Sequence, residues 1–201
     1  MAAAIDFYFD FTSPYGYFAA MRIDELAASY GRKVAWHPIL LGVVFKATGS
    51  APLSTIPLKG AYSLHDIERT ARFNGIPYRL PTTFPLATQA AARAMLWVER
   101  SHGAERAVAF AKALYQAYFT DDVHIGEPMN VMRIGADMGI DPHALGEGMN
   151  SVPVRDQLRS EIALAMARGV FGSPYLIIDG EAFWGFDRFE QIEALLKNGK
   201  I

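Results

Sequence analysis

The sequence predicts an α/β protein in which a mixed sheet, assembled from the two ends of the chain, is interrupted by an all-α helical insertion. Three observations lead there. Residues 5–11 alternate with the period of a strand, a β-hairpin pattern returns only near 175–184, and the alanine-rich stretch between them repeats at helical spacing. The chain has 201 residues, 51% of them hydrophobic and 20% charged, the profile of a globular protein. At this size about 70% of the unfolded chain's surface can be buried without disulfide or metal staples.

The elements follow in order. Ile5, Phe7, Phe9 and Phe11 occupy one face of the first strand and Asp6, Tyr8 and Asp10 the other, the pattern of a half-buried strand. Thr12-Ser13-Pro14 offers a hydroxyl cap with proline at the first helical position, and Ala19, Ile23, Leu26, Ala27 and Tyr30 continue one helix to Gly31. Residues 34–40 read as a second strand, parallel to the first across that helix, with Pro38 implying an edge position. Residues 48–56 are loop-like. Breakers at Gly75-Ile76-Pro77, Gly103, Gly126-Glu127-Pro128, Asp141-Pro142 and Val152-Pro153 divide 58–168 into five or six helices. Tyr175 to Ile178, the turn Asp179-Gly180, and Glu181 to Trp184 form the hairpin, and a last helix runs from about Arg188 to Lys197. The expected division is a sheet domain over 1–47 and 169–201 with a helical domain over 48–168.

Composition excludes several functions. A net charge of −2, with no basic run longer than Arg32-Lys33, lacks the electrostatic footprint of a nucleic-acid binder. The apolar run from Ile39 to Phe45 is far short of the roughly 20 residues that cross a bilayer. The first residues show neither a basic segment nor an apolar core of a secretory signal, so a cytoplasmic location is the expectation. Cysteine is absent, which removes disulfide exchange and thiolate nucleophiles. The five histidines are widely spaced, so the expectation is no metal, and no phosphate- or dinucleotide-binding glycine motif occurs.

Three places are candidates for chemistry. Ser13, between strand and helix, is either a cap or a hydroxyl donor to a bound anion or thiolate, with the helix start adding positive potential. In Gly172-Ser173-Pro174 a cis proline at the mouth of a strand would turn the Ser173 backbone outward to pair with an extended ligand; the alternative is a strand-entry turn. Asp187, in Trp184-Gly185-Phe186-Asp187-Arg188, is either the cap of the last helix or a partner for a ligand ammonium.

Asp10-Phe11-Thr12-Ser13-Pro14-Tyr15, Leu58-Lys59-Gly60-Ala61-Tyr62 with Asp66, Gly172-Ser173-Pro174 and Trp184-Gly185-Phe186-Asp187-Arg188, in this order, resemble the 2-hydroxychromene-2-carboxylate isomerases. These are relatives of kappa-class glutathione transferases. The resemblance spans essentially the whole chain and implies a thioredoxin-like domain with a helical insertion. Its wider kin, the disulfide oxidoreductases, carry a Cys-x-x-Cys pair after the first strand; without cysteine this chain cannot perform their chemistry.

By the same resemblance glutathione is the cofactor, with Ser13 donating to its sulfur and Pro14 and Tyr15 beside it. Ser173, next to cis-Pro174, pairs with the tripeptide backbone, Phe186 and Asp187 meet the γ-glutamyl end, and Lys59 meets the glycine carboxylate. Ser50 stands where relatives often carry Asn, and Ser173 where they commonly carry an aliphatic residue. Lys46 and Arg188 are weaker candidates for a substrate carboxylate. The implied reaction converts 2-hydroxychromene-2-carboxylate to trans-o-hydroxybenzylidenepyruvate in naphthalene-type aromatic degradation, by an enzyme that forms homodimers. The alternatives are a kappa-like transferase that conjugates electrophiles and a non-catalytic peptide-binding module.

Overall fold

A computed structural model describes residues 3–201. Met1 and Ala2, the start of the segment read above for a secretory signal, lie outside the described residues. The first strand is β1 (Ile5–Phe9), followed by α1 (Pro14–Ala20), α2 (Ile23–Ser29) and β2 (Val34–Pro38). Next come α3 (Leu41–Thr48), a 3₁₀ turn (Leu53–Thr55), α4 (Lys59–Asn74), α5 (Gln89–His102) and α6 (Ala104–Phe119). The chain continues through α7 (Pro128–Asp137), α8 (Pro142–Asn150), α9 (Val152–Ala167), β3 (Tyr175–Ile178) and β4 (Glu181–Trp184). It ends with a 3₁₀ turn (Phe186–Arg188) and α10 (Phe189–Asn198).

The sheet order is β2-β1-β3-β4, with β1 parallel to β2 and antiparallel to β3. This is the mixed sheet expected from the two ends of the chain. Pro38 sits at the end of edge strand β2, where its missing N–H breaks no internal ladder. The β3–β4 hairpin turns through Asp179 and Gly180, both at positive φ, as a tight two-residue connection requires.

Four local expectations need correction. β1 is more than half-buried: it lies between β2 and β3, and on its second face Tyr8 is buried while Asp6 alone is partly exposed. It also ends at Phe9, because the Asp10 carbonyl turns to accept the Ser13 N–H at 2.9 Å. The helix expected over 14–30 is two helices: at Arg22 (φ −121°) the N–H returns three residues to Ala19, breaking the α pattern. The last helix starts at Phe189 after a 3₁₀ turn, and Asp187 makes no side-chain cap bond to it. The apolar run after Ile39 enters α3 at Leu41, and no helix among the described residues is long and apolar enough to cross a membrane.

Six helices, α4–α9, occupy the stretch divided above by its breakers, three of them with proline in the first turn. Helix α6 buries Phe110, Ala111, Leu114, Tyr115 and Tyr118. Phe119 stacks on Tyr17 of α1, and Tyr115 packs against Tyr17, Phe9, Phe11 and Phe119. Each such buried aromatic contributes about 1.5–3 kcal/mol over exposure, so this cluster clamps α1 between the sheet and α6.

The sheet is joined to α9 by charge as well as by packing. His37 of β2 bridges Asp6 of β1 and Glu161 of α9, each at 3.2 Å, while Arg168 holds the second Asp6 oxygen at 2.7 Å. Burial alone would lower the His37 pKa, but the hydrogen bonds and charges of Glu161 and Asp6 outweigh it and hold the imidazole above its ordinary value. A raised basic pKa makes this contribution fully present below about pH 6.5 and lost as pH rises through the folded value. The melting-temperature difference between wild type and His37→Gln is therefore expected to shrink as pH is raised past neutrality. Thermal melts at stepped pH check it; a gap independent of pH contradicts the bridge.

Candidate active site

The site is built on the loop that leaves β1. Asp10 is 2% exposed, and its carboxylate accepts the Leu41 N–H at 2.6 Å, the Thr88 hydroxyl at 2.6 Å and the Thr12 N–H at 3.1 Å. Burial raises its pKa above the ordinary carboxylate range, and these three donors pull it partway back. Its backbone is equally committed: the N–H donates to Ser173 Oγ at 3.0 Å and the carbonyl accepts the Tyr115 hydroxyl at 3.0 Å. One residue thus pins the β1 exit to α3, to the start of α5, to α6 and to the loop before β3.

Ser13 follows on this fixed turn. Its hydroxyl accepts the Gly16 N–H at 3.0 Å as the α1 cap and donates to the Ser173 carbonyl at 2.8 Å. The cap reading of Ser13 is therefore realised, and the hydroxyl proton is directed at the residue before cis-Pro174. Gly16 is demanded by this packing: a Cβ there would stand 2.7 Å from Ser173 Oγ and 2.9 Å from the Tyr115 hydroxyl. The expected help from the helix start is small, because α1 has only seven residues, Pro14 has no N–H, and the Gly16 donor is already used.

A cleft of about 1760 Å³ opens above this loop. Its lining brings together Ser13, Pro14, Tyr15, Ser50, Ser173, Pro174, Phe186 and Asp187, while Lys59, at the exposed start of α4, is not part of it. The chain enters α4 through Leu58 at positive φ, a turn that periodicity does not reveal. Ser50 sits just after α3 and accepts from the Thr48 hydroxyl at 3.1 Å. The Asp187 carboxylate lies 3.0 Å from the Arg188 guanidinium, and Gly185 before it, at φ 114°, has no room for a Cβ beside Asp187 Oδ1. Tyr15 donates to Asp66, which also pairs with Arg69. Burial would raise the Asp66 pKa, but these two partners outweigh it and hold the carboxyl below its usual range. Burial and the same carboxylate push the Tyr15 phenol up.

The walls are largely apolar and aromatic. Phe45, Phe73, Phe84, Phe171, Trp184 and Phe189 contribute, and Trp184 lies across Gly172, where any side chain would collide with the indole. A planar apolar ligand with a few polar contacts fits such a surface. A second cavity of about 470 Å³, near Tyr17, Arg22 and Asp121, is lined by none of the candidate site residues.

Sequence reasoning missed Asp10, Thr88 and Tyr115 as supports, although Asp10 stands in the quoted Asp10–Tyr15 motif. Thr88 and Tyr115 are 78 and 105 residues from Asp10, beyond any local pattern. It also missed the second cis bond, Phe84–Pro85, in the cleft wall.

Comparison with known proteins agrees with this layout. Residues 4–197 match the DSBA-like thioredoxin domain family. The 2-hydroxychromene-2-carboxylate isomerase of Sphingobium xenophagum is 31% identical over 198 residues, 98% of this chain and 99% of that protein. Glutathione S-transferase kappa 1 of Caenorhabditis elegans is 26% identical over 205 residues, covering 96% of this chain and 90% of its own. A solved 2-hydroxychromene-2-carboxylate isomerase superposes with a TM-score of 0.86 at 25% identity, covering 96% of this chain and 94% of that one. With a cysteine-free site on that fold, the chain belongs to the DSBA-like thioredoxin domain family and, within it, to the 2-hydroxychromene-2-carboxylate isomerases, whose kin are the kappa-class glutathione transferases.

Proposed function

We propose that the protein is a glutathione-dependent cis–trans isomerase that converts 2-hydroxychromene-2-carboxylate to trans-o-hydroxybenzylidenepyruvate. The observation that carries this reading is the Ser13 hydroxyl, held on the cleft floor 2.8 Å from the Ser173 carbonyl, in a chain with no thiol of its own. The donor set suits the tripeptide: a hydroxyl for its sulfur, a backbone carbonyl for its amide, and Asp187 and Arg188 for a terminus bearing both charges. Glutathione held by Ser13, Ser173 and Asp187 would supply a nucleophilic thiolate able to add reversibly to a conjugated carbon of the substrate.

The residues of the chain hold that thiol ionised. Rotation about the Ser13 Cβ–Oγ bond turns its proton from the Ser173 carbonyl toward the sulfur. The carbonyl is then free for the ligand's cysteinyl N–H, so sulfur recognition and backbone pairing proceed together. A free thiol with a pKa near 8.5 is only a few per cent ionised at pH 7. Lowering the pKa by about two units requires ~2.7 kcal/mol, within reach of a charge-assisted hydrogen bond in a partly dry cleft. The apolar aromatic walls exclude water and accept the flat substrate. Lys59 as the partner of the glycine carboxylate would require the α4 start to approach the ligand, because it lies outside the cleft lining. The reading carries with it a cytoplasmic homodimer acting in aromatic degradation.

A kappa-like transferase is the second reading, favoured by the full-length match to kappa relatives. The two differ in what happens to glutathione. Turnover with glutathione at catalytic concentration supports isomerisation; substrate-stoichiometric loss of free glutathione supports conjugation. Ser13→Ala is expected to raise the pKa of the bound thiol and shift the acid limb of the pH–rate profile to higher pH. Turnover at pH 7 should then fall by more than about tenfold; an unshifted profile removes Ser13 from the mechanism. Asp187→Ala, which loses no cap bond, should weaken glutathione binding by about tenfold at unchanged melting temperature. A fall in melting temperature alone, followed by calorimetry, assigns Asp187 a structural role.

A further inference from the structure

Helices α5 and α9 pack against each other, and Arg100 of α5 donates to the Gln157 side chain of α9 at 3.2 Å. Along the same seam three arginines converge: Arg93 of α5, and Arg155 and Arg159 of α9, which stand one helical turn apart. None of them lines the cleft. The Nε of Arg93 is enclosed by protein yet has no hydrogen-bond partner, and neither Arg93 nor Arg155 makes an ion pair among the described residues. Burial lowers the Arg93 pKa, and the charges of Arg155 and Arg159 lower it further, with no carboxylate opposing them. The acids of these two helices are occupied elsewhere. Glu161 bonds His37 at 3.2 Å, Glu99 faces Glu161 and His37, and Asp156 forms an exposed pair with Arg159 at 2.8 Å.

From this arrangement we propose that the α5–α9 seam is a binding site for a phosphate group, held by Arg93 and Arg155 with Arg159 at its edge. The site is separate from the cleft and independent of the isomerase reading. Like charges gathered at a packed seam repel one another, and an enclosed N–H without an acceptor is disfavoured; an anion relieves both. The start of α9 adds its positive pole, because Ser151 turns its hydroxyl to the Gly148 carbonyl instead of capping the helix. Arg155, just inside that start, is placed against the helix dipole and gains from the same counter-charge. A carboxylate is planar, and one guanidinium satisfies both its oxygens side by side. Arginines arriving from two helices suit an anion whose oxygens project tetrahedrally and which carries roughly two negative charges at pH 7. Against this stands a packing role, in which the Arg93 stem covers apolar surface and its head reaches toward water. That role predicts a loss of stability on truncation and no response to phosphate.

The test titrates inorganic phosphate calorimetrically into the full-length protein, at low ionic strength in a buffer free of other oxyanions, and repeats the titration with glycerol 3-phosphate. Wild type is expected to bind phosphate with a Kd below about 1 mM. At about 10 mM, phosphate should raise the melting temperature by about 3 °C or more over chloride at equal ionic strength. Arg155→Gln, a change at an exposed position, and Arg93→Met, which keeps most of the stem, should each weaken phosphate binding by at least about tenfold and remove that rise. Arg72→Gln, on α4 beside Glu68, should bind phosphate as wild type does. Comparable affinity for glycerol 3-phosphate assigns the site to a phosphate ester, and binding of inorganic phosphate alone assigns it to the free ion. A melting temperature raised equally by chloride and phosphate, or a phosphate affinity unchanged in Arg155→Gln, overturns the proposal. So does a wild type that ignores phosphate while Arg93→Met is destabilised, which would leave Arg93 a packing role only. If Arg93→Met fails to fold, Arg155→Gln still decides.

Discussion

The organisation of the molecule depends on a buried carboxylate with both oxygens hydrogen-bonded. Leaving an ionised Asp10 unpaired at 2% exposure would cost several kcal/mol. Three donors, from Thr12, Leu41 and Thr88, offset that cost at about 1.5–3 kcal/mol each when the acceptor is charged. Because the donors come from three separate segments, none of these segments can shift without exposing an unmet charge. The β1 exit, the start of α3 and the start of α5 are consequently fixed relative to one another.

Ser13 inherits its position from that constraint. It lies three residues beyond Asp10 on a turn closed by the Asp10 carbonyl, and it faces Ser173 because the Asp10 N–H holds the Ser173 hydroxyl. The aromatic cluster of Phe9, Phe11, Tyr17 and Tyr115 then presses α1 onto the sheet, and Tyr115 adds its own bond to the Asp10 carbonyl. The Ser13 oxygen is positioned before ligand arrives, and only its proton has to turn from the Ser173 carbonyl. Preorganised donors of this kind act most strongly where water is excluded, which the aromatic cleft walls favour.

Legibility from sequence followed the range of the interaction that sets each feature. The hairpin at Asp179-Gly180 was legible because two adjacent residues at positive φ decide it, and the starts of α7, α8 and α9 because a first-turn proline acts on its immediate neighbours. The break at Met21–Arg22 was not, since no glycine or proline marks it and the Arg22 side chain bonds the distant Asn74 carbonyl. The resemblance implied one ligand shared by Ser13, Ser173 and Asp187, and the three line one cleft. It could not foretell that Lys59 stands outside the lining, or that Asp187 pairs with Arg188 instead of capping α10. Both depend on how 3₁₀ turns and α4 lie in three dimensions.

The central claim is that a serine, held by a buried carboxylate network, takes the place a cysteine occupies in disulfide oxidoreductases and lends its proton to a borrowed sulfur. A crystal structure of the protein with glutathione tests this most directly. The account predicts the tripeptide in the cleft with its sulfur in hydrogen-bonding range of Ser13 Oγ and its cysteinyl amide on the Ser173 carbonyl. A sulfur lodged away from Ser13, or a cleft left empty at saturating glutathione, would contradict it.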